Sequence, residues 1–475
     1  METDIHSDIC VIGSGAGGAA LAAEMALAGA SVSVLEAGGE APRAMLGESG
    51  LQSAIRAIRS GSYVVSSGGW IPPRVVLHGR CEGGSTAINT GNCFPLPESI
   101  HSAWKRAGAP DLSDYYRRVD TFLQVSEAGA ELLGNNGRKL LEGIRNRGWK
   151  GGPMPRNAPG CTGRTICILG CPEEAKRGTN ISYLPVARKK GAGVYLNTRA
   201  VRIRFAGRRA SCAETISTRD GVRRTFHADQ IVLAGGSLYT PALLQRSGVD
   251  TAGVGENLSI HPAFLLIPHF PGPVEMGPPS IPQSAYCSEF LESEGFLLLN
   301  QSVPQALMAP LLAALGQIGA LSRGSSAGLW AALVHDEGTG SVSSDGGDGY
   351  RISYRLTDSV RRSARKAMLR LAEAAFTAGA TAVTPVVLGT RQFRDSGALD
   401  RWLPDPLPER RVVTGGFHPM GTCSIGRVCE GSGQVRGYEH LYVADASLFP
   451  SASGVTPQMS VMALATSVAA GLLAN

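Results

Sequence analysis

Apolar residues fall into two rhythms along this chain. Residues 8–12 and 31–35 are short apolar runs of strand length, and between them lie a glycine turn and a small-residue helical stretch over about 17–28. Strand, helix and strand in that order predict a β-α-β unit at the start. The pattern turns helical and polar over 45–63. The Gly/Pro-rich stretch through Ser66, Gly68, Pro72 and Pro73 then predicts no regular element. Residues 101–190 read as helices and loops, and strand-like segments return at 193–205 and 225–233, the second ending in Ala234, Gly235 and Gly236. Residues 263–411 differ in character, with a hairpin tip at 338–349, a strand around 350–354 and an amphipathic helix over about 358–378. Glycines resume from Thr414, followed by a buried strand at 440–444 and an apolar helix over about 457–473.

This pattern predicts an α/β chain in which one ligand-binding domain is discontinuous, built from residues 1–100, 191–262 and 412–475. Residues 101–190 form an insertion near the ligand, and 263–411 form a second, α+β, substrate-binding domain. A length of 475 residues suits two domains sharing a cleft. The 61 glycines beside 43% apolar residues point to tight turns and close backbone approaches, not to a disordered chain. The formal charge of +6 comes from 45 basic and 39 acidic residues without a long basic run, so nucleic acid is not an expected partner. Ten cysteines without the spacing of a small secreted scaffold, and no signal peptide before the first strand, predict a cytoplasmic location. The apolar stretch 306–321 is broken by Pro310, Gln317 and two glycines and is shorter than the roughly 20 residues a span needs. It reads as a buried helix pair or a peripheral membrane contact.

Gly13, Gly15 and Gly18 form G-x-G-x-x-G between the first strand and the first helix, and Glu36 ends the next strand. The first glycine permits the turn, the second a close backbone approach to a pyrophosphate, and the third tight helix–strand packing; the acid accepts from ribose hydroxyls. The motif predicts a dinucleotide and leaves FAD and NAD open.

Four further blocks narrow the choice. The runs are Gly79-Arg80-Cys81-Glu82-Gly83-Gly84-Ser85-Thr86-Ala87-Ile88-Asn89, the segment from Gly235 to Val249, Val254-Gly255-Glu256-Asn257-Leu258-Ser259-Ile260-His261-Pro262, and a C-terminal block. That block comprises Gly415 to Thr422, Leu441 to Ser447 and Gly454-Val455-Thr456-Pro457. In this order they resemble the signatures of the glucose-methanol-choline (GMC) oxidoreductases along nearly the whole chain. The resemblance implies an FAD-binding Rossmann-like domain and oxidation of a primary or secondary alcohol to an aldehyde or ketone. The electron acceptor would be oxygen, a quinone or a carrier protein. It assigns FAD contacts to Arg80, Gly84, Ser85, Asn89, Thr90, Val201, Asp445, Ala446 and Pro457, besides Gly13, Gly15, Gly18 and Glu36. Two other outcomes share the resemblance: a lyase that keeps FAD as a scaffold, marked by unchanged flavin absorbance in turnover, and a non-catalytic flavoprotein subunit, against which His418 argues.

In the resembling family, the histidine matching His418 accepts the alcohol proton while hydride leaves for the flavin. A neutral imidazole suits that task. Asp445 matches a ribityl contact; the alternative is a cap for the loop after it. Most relatives carry Asn or His where Thr456 stands, so Thr456 is either the second catalytic donor or an N-cap, with Pro457 as the first helical residue. His78 and His261 either approach the cofactor or pack. Cys161, Cys167 and Cys171 precede a Lys-x-Gly-Thr run similar to the long-chain alcohol oxidase branch. Metal ligation would need a fourth ligand that is not apparent, so packing or one bridge is expected and no metal.

Overall fold

The computed structural model describes residues 4–43, 52, 63–68, 74–302 and 326–474. Its first layer is a seven-stranded sheet. The strands Gly193–Tyr195, Val32–Leu35, Asp4–Ile12 and Arg223–Leu233 pair in parallel in that order, and Leu441–Val443 adds in parallel to the end of Arg223–Leu233. The antiparallel strands Arg209–Ser217 and Thr198–Ala206 complete it. The opening strand is longer than its apolar run. Its first residues alternate exposed and half-buried, and only the last four are buried between layers. The strand at 209–217 has no counterpart among the sequence expectations, because its mixed pattern is that of a half-exposed hairpin arm.

The helix Ala16–Leu27 is apolar on nearly every side because it lies between this sheet, the final helix Gln458–Ala474 and the helix Tyr183–Lys189. Its small residues let the layers close. A Cβ on Gly18 would stand 2.0 Å from the Gly13 carbonyl oxygen, and one on Gly17 would stand 1.7 Å from that of Ala444.

The second layer is a nine-stranded sheet centred on Ala263–His269 and Trp330–Val334, backed by the amphipathic helix Asp358–Thr377, whose Thr357 hydroxyl caps the Val360 amide. The stretch around Ser66 and Gly68 corrects the sequence expectation: Tyr63–Gly68 and Arg74–Gly79 form an antiparallel hairpin at the edge of this sheet. Pairing to a neighbour supplies what local propensity lacks. Pro72, Pro73, most of 45–63 and all of 306–321 lie outside the described residues. The hairpin Ser341–Ser344 with Tyr350–Ser353 falls where its tip was expected. Among the described residues no helix is long and apolar enough to cross a membrane.

Candidate active site

The strands of the first sheet end together at the glycine turns, the place where parallel sheets bind ligands. The helix at 16–27 starts at Gly15 with no side-chain cap and no acidic residue in its first turn, so neither offsets its positive end. A Cβ on Gly15 would meet nothing within 4 Å, whereas Gly84 (φ +52) approaches the Gly15 Cα so closely that its own Cβ would stand at 3.1 Å. The two glycine turns therefore face one cradle of bare backbone, and the chain fits a dinucleotide there.

Sequence reasoning passed over the residue that locks the cradle. The Ser14 hydroxyl donates to Glu36 Oε2 at 2.5 Å and accepts from the Gly83 amide at 3.0 Å, joining the acid to both turns. Glu36 also accepts from the Gly38 amide at 2.8 Å, and burial pushes its carboxyl above the usual range against these bonds. Thr179 donates to the Ser14 carbonyl at 3.0 Å, and buried Lys176 donates to the carbonyls of Ala87, Asn89 and Cys167. The Lys-x-Gly-Thr run, which resembles the long-chain alcohol oxidase branch, was the signal for both.

Other expected FAD residues are placed as follows. Arg80 is exposed at the cradle rim, and Ser85 accepts from the Gly79 amide. Asn89 donates to Gln458 Oε1 at 2.7 Å, Thr90 donates to Gln283, and Val201 falls at a bulge in its strand. Asp445 is buried with both oxygens engaged. It accepts from the Gly236 amide at 2.8 Å, the Thr240 hydroxyl at 2.6 Å, the Ser447 amide at 2.8 Å and the Ser447 hydroxyl. The carboxylate thus caps two helical starts, leaving the Asp445 backbone as the part nearest the first helix. Asp445→Asn turns one acceptor into a donor facing donors. It is expected to destabilise the fold by about 1–3 kcal/mol, read as a lower denaturant midpoint; an unchanged midpoint would overturn this reading.

His418 follows the short strand Gly415–Gly416 and is held from two sides. Ser259 and Met420 exchange backbone hydrogen bonds at 3.0 and 2.9 Å, and the Gly421 amide donates to the Ala446 carbonyl at 3.0 Å. The His418 loop is thereby fixed to the His261 segment and to the loop after Asp445. The ring is partly buried, its Nδ1 is enclosed, and desolvation lowers its pKa to about 4, which keeps it neutral. His261 is buried at φ +50, its segment held by Asp336, which accepts from the Ile260 amide at 2.9 Å, the His261 amide at 3.3 Å and the Tyr354 hydroxyl at 2.7 Å.

Thr456 corrects the cap expectation. The final helix starts at Gln458, the Val461 amide bonds the Pro457 carbonyl, and so Pro457 stands at the N-cap and Thr456 before it. The Thr456 hydroxyl instead donates to the Asn92 carbonyl at 3.3 Å, where Gln458 Nε2 also donates at 2.8 Å. His78 bonds the Tyr350 hydroxyl at 2.7 Å. The Sγ atoms of Cys161 and Cys167 lie 3.7 and 3.3 Å from the buried Arg156 guanidinium. Among the described residues the cysteines are unbridged, and no cluster of three or more His, Cys, Asp and Glu is arranged to hold a metal ion.

A family model described as GMC oxidoreductase matches residues 16–263, and its C-terminal counterpart matches residues 336–465. The chain is 34% identical to an uncharacterized GMC-type oxidoreductase of Mycobacterium tuberculosis, over 98% of this chain and 75% of that one. It is 26% identical to a long-chain-alcohol oxidase of Arabidopsis thaliana, over 97% and 67%. Its fold superposes on pyridoxine 4-oxidase from Mesorbium loti with a TM-score of 0.72 and 19% identity, covering 98% of this chain and 99% of the other.

Proposed function

This chain belongs to the GMC oxidoreductase family, FAD-dependent enzymes acting on CH–OH donors, and we propose that it oxidises a primary or secondary alcohol to an aldehyde or ketone with His418 as the base. The observation that carries this reading is the His418 loop, tied by backbone hydrogen bonds to the His261 segment and to the loop after Asp445, where burial lowers the pKa of the ring and favours its neutral form. FAD, when bound, supplies the two-electron acceptor. The glycine turns with Glu36, Arg80, Ser85 and the 445–446 backbone would hold it. The fixed loop sets the imidazole against the alcohol hydroxyl, and the ring takes that proton as the carbonyl forms. The Arabidopsis relative makes apolar alcohols the first to try, with oxygen, a quinone or a carrier protein as final acceptor. The test is anaerobic mixing of the purified protein with an alcohol panel. An alcohol that bleaches the flavin supports the proposal, and a carbonyl product formed with the flavin spectrum unchanged would sink it.

Thr456 is the second group in this reading, a neutral donor to the oxygen on which charge develops. Its long bond to the Asn92 carbonyl is the competing claim on its proton. Thr456→Val is expected to slow flavin reduction by about tenfold or more, and Thr456→Asn to restore most of it. Reduction of the Val variant at the parental rate would remove Thr456 from the chemistry.

A further inference from the structure

Two buried nitrogens beside the base lack a hydrogen-bond partner among the described residues: Nδ1 of His261 and Nδ1 of His418. The rings stand edge to face, with centroids 5.6 Å apart and planes at 90°. The His261 proton can be located. The Gly454 amide donates to its Nε2 at 3.0 Å, so that nitrogen carries the lone pair, and burial keeps the ring neutral, which leaves its single proton on Nδ1. His261 thus presents a buried donor without an acceptor. His418 can act as a base at Nε2 only if its own proton also sits on Nδ1. Two donors cannot satisfy each other, and a water oxygen, with two lone pairs, is the smallest group that satisfies both. The His261 segment is held in place at a cost: φ of +50 is unusual for a residue other than glycine, and the Asp336 carboxylate accepts from the two successive amides of Ile260 and His261.

We propose that His261 is a positioning residue, whose Nδ1–H and the Nδ1–H of His418 donate to one shared buried water that keeps His418 in the tautomer with Nε2 free. The inference rests on His418 being the base.

Two substitutions separate this role from a structural one. In His261→Gln the amide oxygen reaches the place of Nε2 and keeps the Gly454 bond, but nothing replaces the Nδ1–H. In His261→Asn the amide nitrogen stands where Nδ1 stood, the Gly454 bond is lost, and the left-handed backbone is tolerated. At saturating alcohol the Gln variant is expected to reduce its flavin about tenfold or more slowly with unchanged alcohol affinity, and the Asn variant within about threefold of the parent. A purely structural His261 reverses that order, and the reversal, or equal rates, overturns the proposal. A second readout needs no variant and no turnover. In parental protein labelled with 15N-histidine, His418 is expected to carry its proton on Nδ1, and a high-resolution crystal structure to show one water within about 3.2 Å of both Nδ1 atoms. A proton on His418 Nε2 overturns the inference. His418→Ala at the parental rate would remove the base and this inference together, whereas a slow His418→Ala with the reversed order at 261 removes only the inference.

Discussion

His418→Ala is expected to keep its FAD and to reduce it about 10²-fold or more slowly than the parent, the usual cost of losing a positioned base. FAD retention is expected because the cradle is built of backbone and of Ser14, Glu36 and Thr179, none of which His418 is seen to bond. The rate is expected to fall because the proposed function makes the neutral imidazole the proton acceptor. A pH experiment checks the same ring independently. Its folded pKa of about 4 lies below the value of about 6.5 for a free imidazole, so as pH falls from about 6.5 toward 4 the unfolded chain takes up a proton that the folded ring refuses. The parent should lose more stability over that window than His418→Ala, and the two should run parallel above it. Anaerobic stopped-flow and denaturation at several pH values measure both. Flavin reduction at the parental rate would take His418 out of the mechanism.

Two glycines two residues apart should fail in different ways. Gly17→Ala places a methyl 1.7 Å from the Ala444 carbonyl oxygen, a backbone atom of the strand end that carries Asp445. Neither side can retreat without parting the first helix from the sheet, so the expected loss is at the upper end of overpacking costs, about 3 kcal/mol or more, with the protein recovered poorly or unfolding at much lower denaturant. Gly15→Ala, at φ −70, meets no protein atom, so the apoprotein should unfold at the parental midpoint. Its methyl enters the space over the helix start. Loss of a close, charge-assisted backbone contact there is worth about 1.5–3 kcal/mol, or about 10- to 10²-fold in FAD affinity by titration of the apoprotein. A Gly15→Ala protein that binds FAD as tightly as the parent would remove the cradle from its assigned role, and a Gly17→Ala protein of parental stability would contradict the packing.

The sequence by itself determined the opening β-α-β unit, the amphipathic helix at 358–377, the strand before Asp445 and the final helix, because in each the period of apolar residues or a glycine of fixed purpose is a local property. The G-x-G-x-x-G spacing likewise singled out Gly13, Gly15, Gly18 and Glu36 as candidates, and a signature block singled out His418. The paired strands Tyr63–Gly68 and Arg74–Gly79 were illegible, since the serines and Gly68 of the first argue against a strand and its pairing to the second overrides them. Hydrogen-bond partners were equally out of reach. Ser14 joins residues 22 and 69 positions away, and Thr456 points to Asn92 across 364 residues instead of capping the helix beside it. Asp445, expected as a ligand contact or a cap, caps the turn after it and also a second helical start, because Gly236 and Thr240 arrive from another strand end. The pairing of Ser259 with Met420 brings His261 beside His418, and the Gly454 amide decides which of its nitrogens carries the proton. Residue type and spacing specify which groups a chain owns; which atom of each is left free to do chemistry is set by bonds between distant segments, and those exist only once the chain has folded.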